Sequence, residues 1–199
     1  YIPLLAQVED QIVEHFKSGG GVPYTEYTTF HAVMAEASAA RFDNLLIQTV
    51  LPLVPDIEHH LESGINVADV GCGSGHAINV MAQNFPNSTF TGIDFSSEAI
   101  GVARKEAEQL GLGNVEFLEQ DAADLQLKES FDFITTFDAV HDQAQPRQMV
   151  AGIFASLKPG GYWLCADLCA SSHLGENLDH PIGTFGYTVS CMHCMSVSL

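Results

Sequence analysis

Apolar residues recur along the chain in two patterns, and the pattern changes about a third of the way along. In the first part they are three or four positions apart, as at Phe30, Val33 and Ala37, which is the spacing of a buried helix face. We therefore predict that this part is helical. The predicted helices cover residues 4–17, 24–40, 42–53 and 57–62.

After residue 64, short apolar runs alternate with further helical stretches. The predicted strands cover residues 66–70, 89–93, 115–118, 131–137 and 162–168. Helices are predicted between them, of which one starts after the capping residue Ser96 and another at Pro146. This alternation predicts an α/β fold, in which right-handed crossovers build a parallel sheet flanked by helices. Ligands of such sheets bind at the carboxyl ends of the strands.

The first predicted strand runs into a glycine-rich loop, Gly71-Cys72-Gly73-Ser74-Gly75. Glycines at alternate positions allow a tight turn and let a ligand lie against the backbone. The dinucleotide fingerprint is G-x-G-x-x-G, which would place its third glycine at position 76. Here the third glycine is Gly75, and position 76 is His76, so the pattern is G-x-G-x-G instead. The loop therefore favours a ligand without a pyrophosphate. Taken alone, it is also compatible with a strand-to-helix turn that serves packing only.

Further motifs follow the later strands in register. Asp94 ends the second strand nineteen residues after Gly75, where a carboxylate can accept hydrogen bonds from both ribose hydroxyls. The remaining motifs are Asp121-Ala122 after the third strand, Phe137-Asp138 after the fourth and Lys158-Pro159-Gly160-Gly161 before the fifth. Each motif alone could consist of ordinary loop residues, but no single explanation of that kind accounts for the whole ordered set.

Over roughly residues 57–168, this set resembles the ordered motifs of class I S-adenosylmethionine-dependent methyltransferases. The resemblance implies a Rossmann-like fold and S-adenosylmethionine as cofactor. Gly71, Gly73 and Gly75 would pack against its methionine part, with Asp69 beneath the loop near the ammonium group. The other implied contacts are Asp94 at the ribose, Phe95 beside it, Asp121 and Ala122 at the adenine, and Phe137 and Asp138 at the amino-acid end.

Part of the chain is similar to a subgroup of these methyltransferases that carries a winged-helix domain ahead of the core, namely residues 19–24, 30–36, 137–143, 180–181 and 187–199. The resemblance implies small-molecule methylation and a possible homodimer. We expect residues 1–56 to form a helical segment or lid, carrying Tyr24, Tyr27 and His31, although core packing is an alternative for these side chains. We expect residues 57–199 to form a cofactor-binding core that lacks the family's last helix and closing strands.

His141, in the loop after the fourth strand, is the leading candidate for a catalytic general base. Asp142 or Asp138 could orient its ring or raise its basicity. Asp167, near the end of the fifth strand, is the second catalytic candidate. The alternative for His141 is a structural loop residue.

The run Cys191-Met192-His193-Cys194 suggests a metal site, but a second ligand pair is missing from the sequence, so no metal is predicted. The two thiols could instead hold arsenite, as in arsenite methyltransferases. A third interpretation, which we favour, places residues 180–199 in the core, because this stretch contains no Asp, Glu, Lys or Arg.

The net charge of the chain limits which kinds of molecule it is expected to bind. The chain has 25 acidic residues against 7 Lys and Arg, for a formal net charge of −18, which disfavours nucleic acid and anionic membrane surfaces. Five cysteines without a framework spacing suggest reduced thiols and a cytoplasmic location. The expected activity is methyl transfer to oxygen, nitrogen or carbon of a small molecule, and the alternative is a non-catalytic module that binds the same cofactor.

Overall fold

The computed structural model describes residues 2–27 and 30–199, without the side chains of residues 30, 31, 34 and 37. The side chain of His31, named above as part of a lid, therefore lies outside the described residues. The helices are α1 (Ile2–Ala6), α2 (Glu9–Ser18), α3 (Phe30–Leu45), α4 (Ile57–Ser63), α5 (His76–Asn84), α6 (Ser97–Gln109), α7 (Pro146–Ser156), α8 (Gly183–Met192) and α9 (Cys194–Val197). The strands are β1 (Asn66–Val70), β2 (Thr89–Asp94), β3 (Val115–Glu119), β4 (Phe131–Phe137) and β5 (Leu157–Ala166).

The strands form one parallel sheet in the order β3-β2-β1-β4-β5, which confirms the predicted α/β fold. The chain builds outward from β1 through β2 to β3, and then returns to the other side of β1 for β4 and β5. The strand order therefore reverses between β1 and β4, although all strands stay parallel, and a ligand crevice is expected at that point.

The core lies on both faces of this sheet because successive strand side chains point in opposite directions. Phe133 joins the apolar cluster beneath α5 and α6, whereas its neighbour Ile134 joins the cluster beneath α7. Leu46 and Leu51 are fully buried in the first cluster. The segment just before α4 thus packs into the same core as the sheet, while the predicted domain boundary after residue 56 stays a prediction.

Several element boundaries coincide with those predicted from the pattern. The structure places β1 and β4 at the predicted residues, and α4 ends at Ser63, directly before Gly64. Ser96 caps α6, since its Oγ accepts a hydrogen bond from the Ala99 amide at 3.2 Å. The pattern of apolar residues therefore located an element correctly where a capping or turn residue marked the same boundary.

The helical segments at the start of the chain differ from the prediction. Residues 4–17 form two helices rather than one, because Val8 turns inward and packs beside Leu4 and Ile12. The break expected between residues 40 and 42 is absent: α3 continues through residue 41 and is followed by a π-helical turn, Leu46–Val50, and a 3₁₀ turn, Leu51–Leu53. Both Phe42 and Leu46 are buried, so packing on the sheet core keeps the chain helical there.

The fifth strand also begins earlier than predicted. Pro159-Gly160-Gly161 was expected to form a turn before residue 162, but β5 spans Leu157–Ala166 and takes these residues into the strand. An irregularity in its register with β4 lies opposite this stretch, and Gly160 has a φ of +83°. The turn residues therefore form a bulge at the strand's beginning.

The prediction that residues 180–199 lie in the core is wrong for most of them. No residue of α8 is buried, Phe185 is 55% exposed, and Cys191 is exposed. These helices are joined to the start of the chain, where the Val22 amide donates to Ser196 Oγ at 2.8 Å. An uncharged, apolar composition is thus compatible with a surface helix. No described helix is both long enough and apolar enough to cross a membrane.

Candidate functional site

A cavity opens at the carboxyl ends of β1, β2 and β4, where the strand order reverses. Eight of the ten predicted cofactor contacts line it. They are Asp69, Gly71, Gly73, Asp94, Phe95, Ala122, Phe137 and Asp138. The parallel sheet brings these residues together because they lie at, or just after, the carboxyl ends of four strands, β1 to β4.

The three loop glycines have positive φ angles, +76° at Gly71, +54° at Gly73 and +73° at Gly75, but different surroundings. A β-carbon on Gly71 would lie 2.6 Å from Ala139 Cβ, and one on Gly75 would lie 2.6 Å from Ala103 Cβ. A β-carbon on Gly73 would meet nothing within 4 Å. Gly73 therefore presents open backbone to the cavity, whereas Gly75 serves helix packing and does not line the cavity.

Asp94 holds the glycine loop in place. Its Oδ2 accepts a hydrogen bond from the Gly73 amide at 2.8 Å, and its Oδ1 accepts one from the Ser96 amide at 2.9 Å. The carboxylate is buried and still lines the cavity. Each oxygen has a second acceptor position, so the pair remains able to accept hydroxyl groups.

Asp69 lies beneath the loop, almost completely buried. Burial raises the pKa of its carboxyl group to about 7, against the opposing effect of the Thr135 hydroxyl, which donates to Oδ1 at 2.8 Å. A ligand with a positive charge near Asp69 would favour the ionised form.

Asp121 is not brought into the cavity. Its side chain is exposed, and its Oδ1 accepts a hydrogen bond from the Ala123 amide at 2.8 Å, which caps the short turn Ala122–Asp124. Ala122 itself is buried and lines the cavity. The side chain of Asp121 therefore shapes the turn that presents Ala122.

A second cavity adjoins the first and shares Arg41, Asp138 and Asp142 with it. Its remaining wall is mainly apolar and is formed by Leu4, Leu5, Leu168, Ile182, Phe185 and Val189 with His141, His193 and Cys194. At the boundary, Arg41 Nη2 donates to Asp138 Oδ2 at 2.8 Å, and Asp138 has a φ of +52°. A non-glycine residue in this conformation is strained, and such strain is concentrated at functional sites.

His141 stands in the wall of this second cavity, between two acids. Its Nδ1 lies 2.5 Å from Asp167 Oδ1, and its Nε2 lies 3.1 Å from Asp142 Oδ1. The structure thus brings the two predicted catalytic residues together. Contact with Asp142, followed by Cys194, raises the pKa of His141 to about 11.

The chain's similarity to known proteins agrees with this geometry. A family model described as a methyltransferase domain matches residues 61–186, well over half of the chain. The chain belongs to this methyltransferase family. Its fold and motifs are those of the class I S-adenosylmethionine-dependent methyltransferases, as the sequence predicted.

Individual curated relatives match about half of this chain. A demethylmenaquinone methyltransferase of Listeria welshimeri is 32% identical over 109 residues, which is 54% of this chain and 46% of the relative. A fatty-acid O-methyltransferase of Mycolicibacterium smegmatis is 32% identical over 105 residues, or 52% of this chain and 37% of that protein. The chain spans about half the length of the curated relatives that it matches, or less.

Solved structures agree on the fold. The structure of a protein from Bacillus halodurans assigned as a methyltransferase superposes with a TM-score of 0.55 at 26% identity, over 64% of this chain and 53% of that one. The YcgJ protein of Bacillus subtilis gives 0.54 at 27% identity, over 60% of this chain and 55% of that one.

The first cavity fits the methyltransferase cofactor by its chemistry. Two buried acids, Asp69 and Asp94, stand beside open glycine backbone at Gly73. Acids in this position suit a ligand with ribose hydroxyls and positive charge, and would repel a phosphate. The donors and acceptors present therefore match S-adenosylmethionine better than a dinucleotide.

The two tyrosines predicted to lie on a lid have different surroundings. Tyr24 lines the cofactor cavity, its hydroxyl donates to Asp142 Oδ2 at 3.1 Å, and its ring centroid lies 5.4 Å from that of Phe95. Tyr27 is buried in the apolar cluster of the first helices and donates to the Met192 carbonyl at 2.7 Å. Tyr24 thus lines the cavity, whereas Tyr27 is a packing residue, and the lid role of Tyr24 stays a prediction.

His76 was missed by sequence reasoning. Its Nδ1 lies 2.6 Å from Glu106 Oε1 and its Nε2 lies 2.9 Å from Asp43 Oδ1, and it lines the cofactor cavity. The contact with Glu106 is the main cause that raises the pKa of His76 to about 9. Its place after the third glycine indicated the cavity, but both partners are about thirty residues away in the sequence and have no local signal.

The two cysteines considered for arsenite do not line the same cavity. Cys194 lines the second cavity beside His141, whereas Cys191 lines a separate one beside Ile12 and Phe16. A site built from both thiols is therefore disfavoured.

Proposed function

We propose that this chain is the cofactor-binding core of an enzyme that transfers the methyl group of S-adenosylmethionine to a small, largely apolar molecule. The observation that carries the proposal is the apolar cavity that shares three lining residues with the cofactor cavity. An acceptor held there would lie directly next to the cofactor.

The proposed cofactor contacts are those that line the first cavity. Gly73 would lie against the methionine part, Asp69 near its ammonium group, and Asp94 at the ribose hydroxyls. The cofactor supplies a methyl group already activated on a sulfonium, so the main task of the protein is alignment. Positioning of two reactants can contribute about 7–11 kcal/mol of a barrier.

Arg41 and Asp138 would align the two ligands, because their ion pair forms part of the wall of both cavities. The apolar side chains of the second cavity would exclude water from the acceptor. His141 would contact the acceptor, and Asp167 would hold its ring through Nδ1. A general-base role for His141 remains a prediction. Its raised pKa disfavours that role at neutral pH in the ligand-free protein, because a ring that is already protonated cannot accept a proton.

The acceptor class follows from the wall of the cavity. Six aliphatic or aromatic side chains face it, and apolar walls of this kind hold apolar ligands while a few polar groups fix the orientation. Relatives are named for demethylmenaquinone, fatty acids, and phthiotriol and phenolphthiotriol dimycocerosates. We therefore propose an acceptor with a hydrocarbon part and one nucleophilic atom, at oxygen, nitrogen or carbon.

The test blocks the second cavity without touching the first. Val189→Trp fills the cavity, and Thr188→Trp places the same side chain on the exposed side of the same helix. Transfer of labelled methyl from S-adenosylmethionine would be measured with a fatty acid and a demethylated quinol as probes. Overpacking costs about 1–3 kcal/mol, so Val189→Trp should reduce transfer by about 10-fold or more, with cofactor binding unchanged.

Equal transfer by the two variants would place the acceptor elsewhere. Cofactor binding without transfer to either probe would instead favour the non-catalytic module. Thr188→Trp should behave as the unmodified protein in both measurements.

A further inference from the structure

We propose that His141, Asp142 and Cys194 form a binding site for a divalent cation of the zinc class. One ring nitrogen, one carboxylate oxygen and one thiol sulfur from these residues all lie within 4.8 Å of one another. Two of the residues follow β4, and the third begins α9, so the site joins distant parts of the chain.

The spacing suits direct coordination. Zinc binds nitrogen and oxygen at about 2.0–2.2 Å and sulfur at about 2.3 Å, which places tetrahedral ligand atoms about 3–4 Å apart. His141 Nε2 and Asp142 Oδ1 are 3.1 Å apart. Small side-chain rotations would bring all three donors to one cation.

The surrounding contacts orient the ligands. Asp167 holds Nδ1 of His141 at 2.5 Å, which leaves Nε2 directed at Asp142. A carboxylate behind a histidine is the usual arrangement at metal sites, where it fixes the ring and its tautomer. Tyr24 donates to the other carboxylate oxygen of Asp142, Oδ2, at 3.1 Å.

One carboxylate oxygen remains to be satisfied. Asp142 Oδ1 is buried, and within the described part of the chain no group donates a hydrogen bond to it with acceptable geometry, although the His141 ring is near. Buried carboxylate oxygens are normally hydrogen-bonded or bind a cation. A cation shared with the ring nitrogen and the thiol would satisfy this oxygen.

The donor set indicates which cation. One nitrogen, one oxygen and one sulfur match zinc and similar transition metals, whereas magnesium and calcium prefer oxygen alone. Three protein ligands leave a fourth position open, as in catalytic zinc sites. All three residues line the second cavity, so that position faces it. If the proposed function holds, the nucleophilic atom of the acceptor would bind there.

The experiment measures zinc binding by competition with a chelating indicator, and cobalt binding by the absorption band of a thiolate–cobalt bond. Cys194→Ser removes the proposed ligand, and Cys191→Ser removes an exposed thiol three residues away. Asp167→Asn tests the residue behind the histidine. The same samples are titrated with S-adenosylmethionine.

The unmodified protein and Cys191→Ser should bind one zinc ion and show the thiolate band with cobalt. Asp167→Asn should weaken zinc binding by about 10–100-fold, and Cys194→Ser should weaken it further and remove the band. If Cys194→Ser does not fold, the proposal is tested by Asp167→Asn alone, and unchanged zinc binding by that variant would contradict it.

Failure of the folded, unmodified protein to bind zinc, or equal binding by both cysteine variants, would overturn the proposal and leave a hydrogen-bonded cluster. Cofactor binding in such a sample would leave the proposed function standing. Zinc binding without cofactor binding would support the zinc site and contradict the proposed function. Failure of the zinc site and failure of the proposed function are therefore distinguishable.

Discussion

Two regions of the molecule use similar apolar residues differently. In the sheet region, formed by β1–β5 with α4–α7, Phe90 and Phe133 are at most 1% exposed. In the helical cover, formed by α1–α3, α8 and α9, Phe16 is 67% and Phe185 is 55% exposed. Exposed side chains such as Phe154 occur in the sheet region too, and Phe42 of the cover is buried, but the two larger apolar clusters both lie around the sheet. The cover has one smaller cluster of its own and closes one side of the two cavities.

The largest expected effect separates the two regions by stability. Phe90→Ala should lower the free energy of unfolding by about 3–5 kcal/mol, because it leaves a cavity in a packed core. Phe16→Ala, its counterpart in the cover, should change it by no more than about 0.5 kcal/mol. Urea unfolding measures both. Similar losses for the two variants would contradict the division into two regions.

A smaller effect tests the glycine loop within the sheet region. Gly75→Ala places a β-carbon 2.6 Å from Ala103 Cβ at a φ of +73°, so overpacking and strain together should cost about 2–5 kcal/mol. Gly73→Ala, with a φ of +54° and open surroundings, should cost only the strain, about 1–2 kcal/mol. Denaturant midpoints of the pair give the difference, and a greater loss for Gly73→Ala would refute the packing role of Gly75.

The smallest effect concerns the join between the regions. His76 contacts Asp43 of the cover and Glu106 of the sheet region, and its pKa is raised to about 9. Its stabilising contribution should be complete below pH 6.5 and be lost as the pH rises through about 9, because the protonated ring binds both acids.

After allowance for solvent, this loss should be on the order of 1 kcal/mol. Unfolding measured across that pH range, with His76→Gln as the control, checks the sign. A variant with the same pH dependence as the unmodified protein would exclude His76 as the cause.

The same contrast explains what the sequence could predict. Strands such as β1 and β4 were located because apolar runs, glycines and caps are local signals, and a parallel sheet then brings Asp69 and Asp94 to one edge. Their order along the chain predicted where the first cavity lies. The role of Gly75 in packing was not predicted, because Ala103 lies in a later helix.

The second cavity could not be predicted in this way. His141 was found as a loop residue after β4, but its contact with Cys194 depends on how α8 and α9 fold back on the sheet. The apolar stretch of residues 180–199 gave no sign that it would lie at the surface. Homodimer formation and a cytoplasmic location stay predictions.

The central claim is that the cavity at the end of β1, β2 and β4 binds S-adenosylmethionine through Asp94. Calorimetric titration of the protein, with Asp94→Ala and the exposed neighbour Glu98→Ala as a matched loss of charge, tests it most directly. Two ribose hydroxyls donating to the Asp94 carboxylate would each contribute about 1.5–3 kcal/mol, and Asp94 also holds the Gly73 amide of the glycine loop. Asp94→Ala should therefore raise the Kd by about 100-fold or more, and Glu98→Ala should leave it unchanged. Equal binding by both variants, or binding of a nicotinamide dinucleotide in place of S-adenosylmethionine, would contradict the account.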